Sequence, residues 1–266
     1  MTMKISDLID FANTRWPMST RAAWDNPGLA IGSPSSSLTK VLLSVDVTPQ
    51  VVDEAVAIGA QLVFSHHPLL LRGIDSVTSE TFKGNLITQA IANGVAVFSA
   101  HTNADFVNDG VSEILAKTLG VEPTATLTPD GEGVVGNVAP QRLVDFARSV
   151  AKLLPSVAQG VLVQGDPERE ISRVGLVAGA GDSYLNAARE AAVDLYITSD
   201  LRHHPASDFR DQSAVSAGPA LLNIAHFSAE WPWLEQAARE LGLAFPEVEF
   251  VVSELNTDPW DFAVMQ

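Results

Sequence analysis

The chain has 266 residues, with 32 acidic against 16 basic side chains, a net charge of -16 and no cysteine. That length suffices for one large domain or two modest ones with a substantial core, while the missing cysteines exclude disulfides, thiolate metal sites and cysteine nucleophiles. The acidic surplus repels a phosphate backbone and argues against duplex nucleic acid as a partner; its plainest account is a solvated acidic surface. Residues 1–27 mix Lys4, Asp7, Asp10, Arg15 and Trp16 into their apolar positions and hold no apolar run of the signal-peptide kind. No later run approaches the roughly 20 apolar residues of a membrane span. The expected location is the cytoplasm, with no membrane contact.

Along the chain, short β-branched runs alternate with alanine-rich helical patterns, which predicts βαβ units around largely parallel sheets. Strands are expected at 40–45, 61–65, 95–100, 160–164, 173–178, 194–198, 221–225 and 247–253, and helices at 49–58, 81–93, 111–119, 141–154, 183–192 and 228–241. Gly94, Gly120 and Gly242 stand at helix C-cap positions. The segment 122–137 gathers Pro123, Pro129, Gly131, Gly133 and Gly136 and is read as a crossing between lobes, with a second crossing at 211–219. The expected fold is therefore α/β, with two interlocked lobes: 1–128 plus 217–266, and an inserted lobe of 129–216. The site is expected at the carboxyl ends of the strands, in the cleft between the lobes.

All six histidines fall at or just past the C-terminal ends of expected strands: His66 and His67, His101, His203 and His204, and His226. In open α/β sheets that is where ligands bind. Adjacent side chains in extended backbone diverge, so His66 and His67 suit two metal ions better than one; a loop pair packed by Pro68 is the bland alternative. In His101-Thr102-Asn103-Ala104-Asp105 the carboxylate of Asp105 is the better ligand and His101 suits a neighbouring or substrate-facing role, although Asn and Asp there also fit a turn network. Asp200-Leu201-Arg202-His203-His204-Pro205 reads as a substrate-facing loop, or as an N-cap at Asp200 opening a short helix. His-His-Pro occurs at both 66–68 and 203–205, a weak sign of internal duplication. His226 and Glu230, four apart at a strand-to-helix junction, share one helical face, as a solvated ion pair also would. Three histidines and two carboxylates suit zinc, manganese, iron or cobalt better than calcium or magnesium. Two such ions roughly 3.5 to 4 Å apart lower the pKa of a shared water, which makes hydrolysis the default chemistry.

These motifs, together with Trp24-Asp25-Asn26-Pro27-Gly28-Leu29 and Val45-Asp46-Val47-Thr48, resemble the GTP cyclohydrolase 1 type 2 or NIF-three-like family in order along nearly the whole chain. Ser199, Ala104 and Phe227 depart from its usual Gly, Leu and Tyr. The resemblance implies a dinuclear site of two divalent ions ligated by His66, His67, Asp105, His226 and Glu230, with the two carboxylates as candidate bridges. It also implies a toroidal homohexamer whose sites face an inner cavity. The activity it suggests is a metal-dependent hydrolase acting on a small substrate such as GTP, held by His101, Arg202, His203 and His204. No Walker-type glycine loop is present to hold a nucleotide. Alternatives are phosphoester hydrolysis by the same metal pair, or a non-catalytic ring serving as metal store, chaperone or scaffold. A nucleic-acid-associated regulator fits the acidic charge poorly.

Overall fold

The computed structural model describes residues 3–264. In chain order the elements are α1 (Ile5–Arg15), β1 (Gly28–Ile31), β2 (Lys40–Ser44), α2 (Pro49–Ile58), β3 (Leu62–Ser65), α3 (Phe82–Ala92), β4 (Ala96–Ser99), α4 (Thr102–Asp105) and α5 (Val111–Thr118). They continue with β5 (Glu122–Thr126), β6 (Val134–Arg142), α6 (Leu143–Leu153), β7 (Leu162–Gln164), β8 (Glu170–Ala180), α7 (Leu185–Glu190), β9 (Leu195–Ser199), α8 (His203–Val215), β10 (Ala220–Asn223), α9 (His226–Ala244) and β11 (Glu249–Val252). Among the described residues no helix is long and apolar enough to cross a membrane.

The chain divides into two compact units, Met1–Val107 with Leu234–Thr257, and Asn108–Trp233 with Asp258–Gln266. The first is built on a five-stranded sheet ordered β1-β4-β3-β2-β11, in which only β1 runs antiparallel to its neighbour. Leu42, Val63 and Val97 pack one sheet face against Val51, Val52 and Ala55 of α2 and Leu86, Ile87 and Ala90 of α3. Strands covered on both faces read as the continuous apolar runs seen in the sequence. Phe64 lies between Trp16 and Phe98, with ring centroids 5.5 and 5.3 Å apart. Local signals set α2: Thr48 caps it by accepting from the Val51 amide at 3.2 Å, Pro49 opens it, and Gly59 closes it at φ +72°.

The second unit holds a six-stranded sheet ordered β5-β6-β8-β9-β10-β7, parallel across β8, β9 and β10 and antiparallel elsewhere. Leu143, Phe146 and Val150 of α6 and Leu115 of α5 pack on Ile171, Val174, Leu195, Ile197 and Leu222. Leu185, Tyr196, Phe209 and Leu221 form a core on the unit's other side.

The boundaries differ from the expected 128/129 and 216/217. The breaker-rich stretch is a β5–β6 hairpin rather than a crossing, so the division moves back to 107/108. Pro123 is tolerated at a register shift, and a Cβ on Gly136 would stand 2.4 Å from the Glu122 carbonyl oxygen, so close pairing there needs glycine. β10 pairs in parallel with β9, which holds 217–233 in the second unit and carries His226 and Glu230 with it. The second expected crossing is largely occupied by the end of α8.

Candidate metal centre

In the first unit, β2, β3 and β4 end in register at Ser44, Ser65 and Ser99. Ladder bonds persist past the strand ends: the His66 amide donates to the Ser44 carbonyl at 3.0 Å and the His67 amide to the Val45 carbonyl at 2.8 Å. The Ser65 hydroxyl closes the overhang by donating to the His67 carbonyl at 2.8 Å. Both imidazoles thus rise from backbone as fixed as the sheet itself.

Each ring is then oriented through Nδ1. His66 is buried, and its Nδ1 lies 2.9 Å from the Ala100 carbonyl oxygen. His67 Nδ1 lies 2.7 Å from Asp46 Oδ1, and Asp46 Oδ2 accepts from Thr257. His101 Nδ1 lies 2.8 Å from Asp25 Oδ1, while Asp25 Oδ2 accepts from the amide of Thr102 at 3.1 Å and from its hydroxyl. Burial works against ionising Asp25, but the hydrogen bonds from His101 and Thr102 outweigh it and hold its pKa at about 2. A proton on each Nδ1 leaves Nε2 as the lone-pair atom, the usual arrangement of a metal-ligating histidine.

One ring nitrogen from each of His66, His67 and His101 lies within 4.8 Å of the others, and Asp105 Oδ1 is 3.9 Å from His66 Nε2. Nitrogens ligating one tetrahedral ion stand about 3.3 Å apart, given zinc–nitrogen bonds near 2 Å, so modest side-chain adjustment closes the group on a cation. The residues fit a metal ion in donor type and in orientation. His101 stands next to His66 and His67, a position open both to ligation and to the neighbouring or substrate-facing role expected of it. The turn network also exists, since Asn103 accepts from the His101 amide at 2.9 Å and donates to the Trp16 carbonyl at 2.8 Å.

The second unit repeats the device. His226 opens α9, with Nδ1 2.6 Å from Asp200 Oδ2 and Nε2 2.9 Å from Oε1 of the buried Glu230. Burial disfavours charge on His226, but the Glu230 and Asp200 carboxylates outweigh it and raise its pKa well above the ordinary histidine range. A cation bound at Nε2 would have to displace that proton. Gly179, near the end of β8 at φ +77°, stands against this pair: a Cβ there would lie 2.7 Å from Glu230 Oε1 and 3.2 Å from His226 Nε2.

The expected N-cap at Asp200 is not what forms. Arg202 is the N-cap of α8, and Asp200 sits at φ +54° with its carboxyl given to His226. Arg202 is exposed and paired with Asp182, and the exposed His203 and His204 open α8 with ring centroids 5.2 Å apart. The orienting carboxylates of Asp25, Asp46 and Asp200 and the clearance at Gly179 were not assigned from sequence. The three aspartates stand within the quoted motifs, but their partners lie 76, 21 and 26 residues away, beyond any local spacing rule.

Sheet ends that present imidazoles anchored by carboxylates or a backbone carbonyl, with further carboxylates beside them, define a class of two-unit α/β protein whose side chains could bind a metal. The family described as Duf34/NIF3 (NGG1p interacting factor 3) matches residues 3–259, and the chain belongs to it. A Streptomyces coelicolor protein named a GTP cyclohydrolase 1 type 2 homolog is 38% identical, covering 97% of this chain and 93% of its own length. A Clostridium perfringens protein of the same name is 31% identical over 98% of this chain and all of its own. A crystal structure of a hypothetical protein from Staphylococcus aureus superposes with a TM-score of 0.90 at 27% identity, over 99% of this chain and 100% of that one.

Proposed function

We propose that this chain is a cytoplasmic, dinuclear metal-dependent hydrolase in which His66, His67, Asp105, His226 and Glu230 together hold two divalent ions. The observation that carries the reading is the shared anchoring of four imidazoles by protein acceptors at Nδ1, which aims Nε2 of each as the ligating atom, at His226 once its Nε2 proton is displaced. Zinc, manganese, iron and cobalt match the mixed nitrogen and oxygen donors. Bound ions would supply Lewis acidity and bring water toward ionisation at neutral pH.

The chain's own residues account for the rest. His101, held at Nδ1 by the ionised Asp25, faces the substrate through Nε2; to act as general acid it carries a second proton there as the imidazolium and is left neutral, with Nδ1 still bound to Asp25, once that proton is given up. Arg202, His203 and His204 offer an exposed cationic and hydrogen-bonding surface for an anionic substrate. The names carried by the relatives make GTP the first substrate to test, with phosphoesters second. The family resemblance further supports a homohexameric ring, which light scattering would read as a mass of six chains.

Elemental analysis of protein purified without chelator tests the reading. About two ions per chain are expected, falling sharply in Asp105→Ala and Glu230→Ala. Metal that stays substoichiometric and survives both substitutions would sink the ligand assignment. Full metal without turnover of GTP or phosphoesters would favour a metal store or scaffold.

A further inference from the structure

Trp24 is 65% exposed, yet it sits in a loop tied down at nearly every polar opportunity. The Ala22 amide donates to the Thr102 hydroxyl at 2.9 Å, Asp25 binds both His101 and Thr102, and the Asn26 side chain donates to the Leu70 carbonyl at 3.0 Å. A large apolar ring left in water on a backbone this restrained is a preformed surface rather than a loose end. It is also beside the donors: the Trp24 and His101 ring centroids are 5.9 Å apart at 76°, and His101 shares its cluster with His66 and His67. An edge-on contact with one imidazole leaves most of the indole uncovered.

We infer that Trp24 is the stacking platform for a planar heteroaromatic ring in the substrate, a nucleobase or a ring of similar size, whose polar end reaches the His66/His67/His101 cluster. The inference rests on the proposed metal site and adds the residue that would hold the ring of a substrate bound there. Indole offers any flat ring a large stiff face at small conformational cost, and such stacking tolerates many ring identities. That tolerance accounts for base recognition in a chain without a glycine-rich phosphate loop. A charge of -16 disfavours binding through phosphates alone, so contact with the ring is where affinity can be gained.

The test is calorimetric titration of the full-length, metal-loaded chain with GTP and, separately, with inorganic tripolyphosphate, which has no ring to stack. Trp24→Ala is expected to weaken GTP about tenfold and to leave both tripolyphosphate affinity and metal content unchanged. Trp24→Phe, which keeps an aromatic face, should recover most of the loss. Equal affinities of the wild-type chain for the two probes, or equal GTP affinity in wild type and Trp24→Ala, would overturn the stacking role while leaving the metal site standing. Failure of the wild-type chain to load metal would remove the reading on which the inference depends, and the inference with it.

Discussion

Gly179→Ala offers a sharp test of the His226/Glu230 pair, because a matched control separates backbone strain from crowding. Gly179 has φ +77° and Gly59 has φ +72°, so an alanine suffers similar left-handed strain at either site, about 1 to 2 kcal/mol before a partial offset from the stiffer unfolded chain. The surroundings differ. A Cβ at Gly59 meets nothing within 4 Å, whereas at Gly179 it meets Glu230 Oε1 at 2.7 Å and His226 Nε2 at 3.2 Å. Glu230 is buried and cannot swing freely into solvent. Relieving the contact displaces the carboxylate from His226, adding about 1 to 3 kcal/mol of overpacking. Gly59→Ala should therefore cost about 1 kcal/mol and leave metal affinity untouched. Gly179→Ala should cost about 2 to 4 kcal/mol and weaken metal roughly 10- to 100-fold, the usual loss when ligand support is disturbed. Chelator competition reads the affinities and urea melts of the metal-free proteins read the stabilities. Indistinguishable metal affinities in the two variants would refute the assignment of His226 and Glu230 as donors crowded against β8.

Other outcomes follow from the titrating groups. Asp25, lowered from 3.8 to about 2, contributes about 2 kcal/mol that is whole above pH 4 and lost as the pH falls through 2. Urea midpoints should show roughly half of it gone by pH 3, and Asp25→Asn should flatten that acid limb; an unchanged limb would dissociate Asp25 from His101. His226 runs the other way: with its folded pKa raised, its contribution is complete below about 6.5 and disappears as the pH climbs through the elevated value. Metal must displace its proton, so titrations in buffers of different ionisation enthalpy should report proton release at pH 7.5. An absence of release would place the ion away from His226.

The parts legible from sequence were those with locally written causes. The bounds of α2 were read as they stand because Thr48, Pro49 and Gly59 are cap, first-turn and stop signals. β2, β3, β4 and β9 showed as apolar runs because both sheet faces are covered. β5 escaped notice because all five of its residues are exposed and it owes its existence to pairing with β6. That omission displaced the expected domain boundary. α8 was anticipated only as the short-helix alternative after Asp200, and its 13-residue extent was not read, because its polar sequence carries little apolar periodicity. At the site, the residues proposed as donors were picked out by type and by position at expected strand ends. Their anchors were not: an aspartate at 25 that fixes a histidine at 101 is a property of the fold, and Asp200 was read as a cap because capping is the commoner use of that residue before a helix.

The anchored imidazoles bear on how the proposed centre would take up a metal ion. In a zinc finger the ligands are gathered by the ion, so losing the ion unfolds the domain. Here a carbonyl or carboxylate already holds each ring, so an ion bound by the proposed ligands would be able to leave, and a different one to enter, without the chain coming apart. Binding is then an exchange equilibrium among available cations, weighted by their intrinsic preference for such donors. On the proposed reading the occupant would follow from the supply of cations as much as from the sequence, and the same chain drawn from cells grown on different metals would carry different ions.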